Sequence, residues 1–465
     1  MYDCSKEFNM FYRKKVVLSA VEQNELRKRR KLNIRRLKDG LAEYNQEKRK
    51  NYKIAEERIQ GSMAMHTITQ NDDNDYDIDV GIVFESDDLD SLGAQSTRNM
   101  VADALERKTK QLLVPPEVKT SCVRLKYSSS GYHMDFAIFQ RYKTSSWNNE
   151  YIYEHAGSEW SVRHIKALEE WFTDQVKQSG DDLRKVIRLS KMFCKSRDSW
   201  ANMPSGLIQT VLCDEKFAED YSRLDEKFYY TMQAIVNRLN LSLDVSAPID
   251  NGRALVTRNV DYQRIRNMRR RLKSNLDKLE ILFDDACTHQ DAVKVWSEFF
   301  NHSYWEELYS SSQNKNFRES KAPEFDDTEQ FINELYPVNE QYDVTIDCKV
   351  SGNGFSVMPI NEFLDRLPQQ LKKFIPYNFT IKCRLGETNC SHYDKILWKV
   401  LNVGSEAEQR NCIRGQIQDN RGTEITESSD FAGLHYIECY LVKNGVCVGI
   451  GHVDVPIGGT RSERV

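Results

Sequence analysis

The sequence predicts an α+β fold, because three patterns of hydrophobic spacing follow one another along its 465 residues. After a long helical stretch, apolar runs bounded by turn residues are typical of strands; helical periodicity follows, and strand-like segments return near the end. At roughly 100–200 residues per domain, the chain is long enough for two to four domains. We expect an N-terminal helix with an α/β lobe, a helical lobe, a linker and a separate β-rich domain, at residues 1–158, 159–310, 311–340 and 341–459.

Composition excludes several classes of protein. Apolar residues make up 40% of the chain and charged residues 29%, which excludes collagen-like and mostly disordered proteins. Apolar runs stay short of the roughly 18 residues of a membrane span, and residues 1–18 lack the apolar core of a signal peptide, so we expect neither feature. Eleven cysteines without a C-x-x-C pair predict no disulfide framework and no zinc ribbon, and a reducing cytoplasm is the expected location.

The first part of the chain is predicted to hold one long helix and a small α/β unit. Apolar residues near i, i+3/i+4 spacing predict a helix over residues 21–59 that ends at Gly61. Three strands are predicted at residues 76–84, 123–127 and 132–140. A helix is predicted between the first two, at 96–110, and a hairpin turn between the last two, at 128–131.

The middle and last parts of the chain differ in periodicity. Helices are predicted at residues 163–178, 181–196, 205–212, 222–239, 264–285 and 290–300. A polar stretch at 310–327 reads as a linker. Short helices are predicted at 328–335 and 359–374, and strands at 379–384, 395–402, 409–418, 433–442 and 447–456.

Charge is distributed unevenly along the chain. Residues 24–53 carry twelve Lys/Arg against four acidic residues, a pattern that fits either a solvated helix face or a phosphate-binding surface. Residues 71–95 carry nine Asp/Glu and no Lys or Arg. Because these carboxylates repel one another, the acidic stretch favours a bound cation.

Gly61-Ser62, directly after the predicted helix, has two readings. Taken alone it favours a helix-capping turn, and the functional reading is a phosphate cradle in which backbone N–H groups and the Ser62 hydroxyl donate to a triphosphate. Glycine at such a position lets the backbone approach the phosphates closely.

Three aspartates carry the strongest chemical signal. Asp77 and Asp79 are two residues apart on a predicted strand and therefore project from the same face. Asp135 interrupts a later apolar strand. An acidic strand edge and a salt-bridged core aspartate are the structural alternatives. Together, however, the three carboxylates fit a site for two Mg²⁺ (or Mn²⁺) ions that clamps an in-line phosphoryl displacement, with Asp135 also able to accept the proton of an attacking ribose hydroxyl.

These motifs resemble the DNA polymerase beta-like nucleotidyltransferases, and within them the bacterial cGAS/DncV-like nucleotidyltransferases (CD-NTases). The resemblance is carried by Gln60-Gly61-Ser62, Asp77-x-Asp79 and the later aspartate strand. It continues in Arg188-x-x-Lys191 and in the serine motif around Ser205, although the family usually has tryptophan where Phe193 stands.

The resemblance implies a polymerase beta-like lobe, a helical lobe that closes over the nucleotide, and nucleoside triphosphates as substrates. Donor phosphates are then expected on Gln60, Gly61, Ser62, Lys191 and Ser205, and Asp250 is the candidate for the base pocket. Without the resemblance, Lys191 also fits a solvated helix residue and Ser205 a helix N-terminal residue.

The last block resembles the adenylyl/guanylyl-cyclase and SMODS C-terminal sensor domain (AGS-C). Trp398, Arg414 and His435 belong to the motifs that carry this resemblance, which implies a nucleotide or another ligand at the domain. The three side chains fit a base-stacking and phosphate-binding site. They also fit the core of a small β module.

The resemblance implies a cyclic oligonucleotide synthase of bacterial anti-phage (CBASS-like) defence, acting in the cytoplasm on ATP/GTP-type substrates. Two alternatives stay open. Transfer to an RNA or protein acceptor is one, because the basic helix from Arg27 to Lys38 is compatible with RNA. The other is a catalytically inactive nucleotide sensor, against which the presence of all three carboxylates argues.

Overall fold

The structure, a computed structural model, divides the chain into two compact units. The first comprises Met1–Ser19 and Arg30–Ser320, and the second Ala20–Arg29 and Lys321–Val465. The residues that the structure describes are 1–18, 20–70, 76–112, 114–127, 132–144, 150–200, 202–249, 252–312, 330–352, 354–367, 374–402, 406–407, 415–419, 422–430 and 432–458.

A mixed sheet forms the first half of the first unit. Its strands are β1 (Ile54–Ile59), β2 (Asp77–Glu85), β3 (Glu117–Val118), β4 (Val123–Lys126), β5 (His133–Lys143), β6 (Tyr151–Ala156) and β7 (Trp160–Val162). The order is β1-β2-β5-β4-β3, with β6 pairing with β5 and β7 with β6. β2 and β5 run parallel, and the other pairs are antiparallel. The predicted strands that carry the three aspartates are confirmed.

β2 is the central strand on which the site is built. Residues 80–84 are buried, as expected of a strand that is covered on both faces and reads as a continuous apolar run. The two aspartates lie at the beginning of the strand, where the burial ends. The apolar run therefore anchors the strand while its first residues remain accessible.

Helices make up the rest of the first unit, and one of them, α2, begins in the second unit with Ala20–Arg29. They are α1 (Ser5–Phe11), α2 (Ala20–Lys48), α3 (Gly61–Ala64), α4 (Ala94–Lys108), α5 (Ala167–Ser179), α6 (Asp182–Lys195), α7 (Gly206–Glu215), α8 (Leu224–Leu241), α9 (Asn259–Leu276), α10 (His289–Phe300) and α11 (Ser303–Ser312). A π-helical segment (Tyr12–Val16) and 3₁₀ segments (Ser86–Leu89 and Asp277–Phe283) extend three of these regions. An aromatic cluster with Phe8, Phe228, Trp296 and Phe300 at its centre fills the helical core. The predicted helical block is confirmed.

The predicted helix over residues 21–59 is confirmed as far as Lys48 and is wrong beyond it. α2 ends at Lys48, and Ile54–Ile59 is strand β1, paired antiparallel with β2 so that Ile59 lies opposite Val80. In β1, Glu56 and Arg58 are buried and form an ion pair at 2.8 Å, and Arg141 of β5 contacts Glu56 at 2.9 Å. In a segment this short, the spacing of apolar residues fits a helix and a strand alike. Here the pairing with β2 decides for the strand.

The second unit is β-rich, as predicted. It contains α12 (Ile332–Leu335), β8 (Val344–Gly352), β9 (Phe355–Pro359), α13 (Ile360–Arg366), β10 (Thr380–Thr388), β11 (Lys395–Leu401), β12 (Ile417–Gln418), β13 (Glu424–Ser428), β14 (Gly433–Lys443) and β15 (Val446–Ile457). Two four-stranded sheets have the orders β13-β10-β8-β9 and β12-β11-β14-β15. The sequence argument missed β8, β9 and β13, and most of its strand at 409–418 lies outside the described residues.

A disulfide joins two strands of the second unit. Cys348 of β8 and Cys383 of β10 are directly opposite each other and are bonded. This pair contradicts the prediction of no disulfide framework; the two cysteines are 35 residues apart, and only the strand register brings them together.

A buried ionic cluster ties the beginning of α2 into the second unit. Glu438 of β14 is 1% exposed and accepts contacts from Arg27 at 2.5 Å, Lys399 at 3.2 Å and His452 at 3.1 Å. Burial alone would raise the pKa of Glu438, but Arg27, Lys399 and His452 around it lower that pKa well below its ordinary value. The N-terminal segment Ala20–Arg29 therefore supplies a charge that the buried carboxylate needs.

Within the described residues, none of the helices has the length and apolar character needed to cross a membrane.

Candidate active site

Asp79 and Asp135 lie side by side on neighbouring strands. The parallel register of β2 and β5 places Asp79 opposite Asp135 and Asp77 opposite His133. Adjacent strands are roughly 4.8 Å apart, and side chains two residues apart on one strand share a face. All three predicted aspartates therefore stand on one patch of one sheet face.

The three carboxylates differ in exposure. The Asp77 side chain is 61% exposed, whereas the Asp135 side chain is 14% exposed. Asp79 is partly buried, and burial, together with the neighbouring Asp77 and Asp135, raises its pKa to about 6. The negative charge of the three aspartates is therefore least compensated at Asp79.

Arg124 of β4 holds the third carboxylate. Its Nε donates to Oδ1 of Asp135 at 2.7 Å and its Nη2 donates to Oδ2 at 2.6 Å, a bidentate pair that engages both oxygens. Antiparallel pairing of β4 with β5 puts Arg124 opposite Asp135. The salt-bridged aspartate that the sequence left as an alternative is thus present, on the same patch as Asp79.

Gly61 lies directly against Asp79. It has φ of +62°, and a Cβ at this position would be 2.1 Å from Oδ2 of Asp79. The neighbouring Gln60 N–H donates to the backbone oxygen of Asp79 at 2.9 Å, which fixes the turn on β2. The site needs glycine here both for the left-handed backbone and for the close approach. Ser62 follows in the first turn of α3.

Lys191 of α6 is buried and reaches the same turn region. Its Nζ donates to the backbone oxygen of Thr67 at 2.9 Å and to Oγ1 of Thr67 at 2.8 Å. Burial, and then the charges of Arg188 and Lys195, lower the pKa of Lys191 to about 7. The reading of Lys191 as a solvated helix residue is therefore wrong, because only 8% of the residue is exposed.

Ser205 is the N-cap of α7, where its Oγ accepts from the Ile208 N–H at 3.5 Å. Lys191 is close to it, since a Cβ on Gly206 would be 3.2 Å from Cε of Lys191. Ser205 also lines a cavity of about 330 Å³. The charged residues of that cavity are Arg253, Arg258, Asp261 and Arg264.

Several predicted residues lie elsewhere. Asp250, the candidate for the base pocket, and Arg414 of the C-terminal motif are outside the described residues. Trp398 is 1% exposed and donates from Nε1 to the Gly422 oxygen at 2.8 Å, and His435 is 4% exposed. The described C-terminal aromatic and imidazole groups are thus core residues, and a ligand of this unit stays a prediction.

The donor set fits a hard divalent cation, since carboxylate oxygens are the ligands that Mg²⁺ and Mn²⁺ prefer. Burial, and then the like charges of Asp77 and Asp135, raise the pKa of Asp79, an effect that a cation bound beside it would oppose. Within the part of the chain that the structure describes, no three acidic, histidine or cysteine side chains are gathered closely enough to hold a metal ion. At Asp135, both oxygens are bonded to Arg124.

Arg124 is the site residue that the sequence argument missed, although a signal for it was present. The predicted hairpin pairs Tyr127 with Tyr132, and the structure has the Tyr127 N–H donating to the Tyr132 oxygen at 3.0 Å. Continuing that register along both strands leads to Arg124 opposite Asp135. Counting back from the turn would have found the pair.

Two models of known protein families match parts of this chain. The model of the family "Cyclic GMP-AMP synthase DncV-like, nucleotidyltransferase domain" matches residues 55–139, the range that contains Gly61 and the three aspartates. The model of the "Adenylyl/Guanylyl and SMODS C-terminal sensor domain" matches residues 326–458. Fold, site and matched domain together define a nucleotidyltransferase.

Individual proteins similar to this chain include cyclic-nucleotide synthases. A cyclic GMP-AMP synthase of Escherichia albertii is 24% identical over 426 residues, covering 87% of this chain and 85% of the relative. The Vibrio cholerae DncV cyclic AMP-GMP synthase with a linear pppA(3′,5′)pG intermediate has a similar fold: the TM-score is 0.50 at 17% identity, over 64% of this chain and 94% of that chain. The same enzyme with nonhydrolyzable GTP gives a TM-score of 0.50 at 17% identity, over 63% and 94%. The chain therefore contains a DncV-like nucleotidyltransferase domain and a C-terminal AGS-C domain.

Proposed function

We propose that this enzyme joins nucleoside triphosphates of the ATP/GTP type into a cyclic oligonucleotide by divalent-metal-dependent phosphoryl transfer. The observation that carries the proposal is the placement of Asp79 directly beside Asp135 and under the turn at Gly61. Carboxylates of this kind suit a reaction in which charge builds up on phosphate oxygens. A cyclic GMP-AMP synthase among the relatives supports the cyclic product.

In this proposal the chain's own groups orient the substrate. Asp77, Asp79 and Asp135 hold two Mg²⁺ or Mn²⁺ ions, which when bound supply the charge that stabilises the attacking and leaving oxygens. Gln60, Gly61 and Ser62 cradle the donor triphosphate from one side, and Lys191 and Ser205 approach it from the other.

Each transfer forms one bond and breaks one. A ribose hydroxyl oxygen bonds to the α-phosphorus, the bond from that phosphorus to pyrophosphate breaks, and Asp135 accepts the hydroxyl proton. A second transfer within the linear product closes the ring. Asp250 is proposed to line the base pocket.

We place the enzyme in the bacterial cytoplasm and in CBASS-like anti-phage defence. ATP and GTP, its proposed substrates, are cytoplasmic nucleotides, and the proposed defence role is what the resemblance to the CD-NTases implies. The AGS-C unit is proposed to bind a nucleotide or another ligand that regulates synthesis.

The proposal is tested by supplying the full chain with all four NTPs and Mg²⁺ or Mn²⁺. The expected result is a phosphatase-resistant product whose mass is that of a cyclic oligonucleotide, with pyrophosphate released in equal number to the bonds formed. Mass spectrometry and nuclease digestion identify the product, and the matched control is the Asp77→Asn protein.

Other outcomes decide between the alternatives. If nucleotides are incorporated only when RNA or protein is added, the reaction is transfer to that acceptor and not cyclisation. Nucleotide binding without pyrophosphate release, under every metal tested, would make the protein a sensor and would overturn the proposal.

Lys191 predicts a proton taken up when nucleotide binds. With a pKa of about 7, the buried amine is mostly neutral at pH 8 in the free enzyme, and triphosphate beside it favours the charged form. We expect uptake of about 0.5–1 proton per nonhydrolyzable nucleotide at pH 8, and affinity that falls as pH rises above 7. The measurement is the dependence of calorimetric binding enthalpy on the ionisation enthalpy of the buffer.

The control for this prediction is Lys177→Met, which removes an amine on α5 whose side chain is 54% exposed. Lys191→Met should abolish the proton uptake, whereas Lys177→Met should leave it unchanged. Equal uptake by the Lys191→Met and wild-type proteins would show that Lys191 does not face the phosphates.

A further inference from the structure

Arg124 occupies both oxygens of the carboxylate that the proposed function assigns to a metal ion. The guanidinium contacts Oδ1 and Oδ2 of Asp135 at 2.7 and 2.6 Å. The Arg124 and Asp135 side chains are 22% and 14% exposed, so water screens the pair only partly. Both side chains extend from directly paired residues of β4 and β5, so the contact is built into the strand register.

The neighbourhood explains why a cation is needed there. Asp77, Asp79 and Asp135 place three carboxylates on one patch. The positive charge of Arg124 lowers the pKa of Asp79, and it does so more than the charge of Lys191. Arginine stays charged at every physiological pH and its planar fork matches a carboxylate. It is therefore suited to neutralise the patch in an enzyme that holds no nucleotide.

We propose that Arg124 is a counter-ion that takes the place of a divalent cation on Asp135 in the nucleotide-free enzyme and is displaced when metal and nucleotide enter. This inference rests on the proposed function. A cation that uses Asp135 must take at least one oxygen from the guanidinium. The released N–H donors fit phosphate oxygens as well as they fit a carboxylate, so the substrate's triphosphate supplies the new partner.

The consequence is coupling between metal and nucleotide. Without nucleotide, metal binding has to break charge-assisted hydrogen bonds, and with nucleotide those bonds are replaced by bonds to phosphate. Metal affinity of the wild-type enzyme should therefore depend strongly on nucleotide. An enzyme without the guanidinium should bind metal well in either condition.

The test measures Mn²⁺ binding to the full chain by electron paramagnetic resonance, with and without a nonhydrolyzable GTP analogue. In the absence of nucleotide, Arg124→Gln should bind Mn²⁺ about tenfold more tightly than wild type, a change of one decade in the dissociation constant. The control is Lys126→Gln, which removes one positive charge two residues along the same strand, from an ion pair with Glu117 at 3.1 Å. Its Mn²⁺ affinity should stay within about twofold of wild type.

Two further variants make the test specific. Arg124→Gln combined with Asp135→Asn should lose the tenfold gain, because the gain acts through Asp135. Arg124→Lys keeps the charge and loses the bidentate fork, so it should give a smaller gain in Mn²⁺ affinity. It also replaces Arg124→Gln in the test if that variant unfolds, which circular dichroism detects. Equal or weaker Mn²⁺ binding by Arg124→Gln and Arg124→Lys, or a gain that survives in the double variant, would overturn the inference.

Failure of the proposed function gives a different result. Asp79→Asn should lose Mn²⁺ binding in the presence of the nucleotide analogue. If that variant binds Mn²⁺ as wild type does, the metal site itself is wrong, whatever Arg124→Gln does.

Discussion

Asp79→Asn is expected to lower the rate of product formation by at least about 1,000-fold, because it removes the carboxylate at the centre of the metal-binding patch. The same variant should be more stable than wild type when metal is removed with EDTA. The pKa of Asp79 is raised from 3.8 to about 6, so above pH 6 the folded protein carries a charge that the unfolded chain solvates better.

The sign of this stability change follows from proton linkage. Between pH 4 and 6 the folded state binds the proton of Asp79 more tightly than the unfolded state, so stability falls as pH rises through that window and stays low above it. Asparagine carries no charge, and its free energy of unfolding should exceed that of wild type by about 1–3 kcal/mol at pH 8 and by less at pH 5. Urea unfolding at both values of pH measures the difference.

The control is Asp77→Asn, on the same strand. Its side chain is 61% exposed, so we expect loss of activity without a gain in stability. An Asp79→Asn enzyme that keeps more than a tenth of wild-type activity would contradict the assignment of this residue.

Gly61→Ala is expected to reduce activity by at least about 100-fold while the protein stays folded. The added Cβ would be 2.1 Å from Oδ2 of Asp79, and the backbone φ of +62° adds strain for any residue with a side chain. Either the carboxylate or the turn has to move, and both belong to the proposed site. Steady-state kinetics, with circular dichroism as the check on folding, measures the effect.

A matched glycine separates the two contributions. Gly180 has φ of +80° and nothing within 4 Å of a built Cβ, so Gly180→Ala carries only the backbone cost, on the order of 1–3 kcal/mol. It should keep near-normal activity. If Gly61→Ala is as active as Gly180→Ala, the close approach of Gly61 to Asp79 has no role in catalysis.

The sequence was sufficient where one strand carries its own signal. The apolar run after Asp79 identifies β2, and the aspartate set into an apolar strand identifies Asp135, because burial of such a residue has few explanations. The same local logic found α6 with Lys191 and the start of α7 at Ser205.

The sequence was insufficient where long-range pairing decides. In β1, the buried Glu56 pairs with Arg141 of β5, and the local spacing of residues does not indicate a partner that far along the chain. The contact of Lys191 with Thr67, like that of Arg27 with Glu438, depends on how separate segments pack. Such contacts set the charges and pKa values of a site. The sequence therefore predicts which residue types form the site, but it does not predict their pKa values.

The central claim is that Asp77, Asp79 and Asp135 together hold divalent cations beneath the turn at Gly61 and Ser62. The most direct measurement is anomalous diffraction at the manganese edge, from crystals of the full chain grown with Mn²⁺ and a nonhydrolyzable GTP analogue. The account predicts manganese peaks within bonding distance of Asp79 and of at least one oxygen of Asp135. Bound nucleotide with Asp135 still fully paired to Arg124, and no manganese on Asp79, would contradict it.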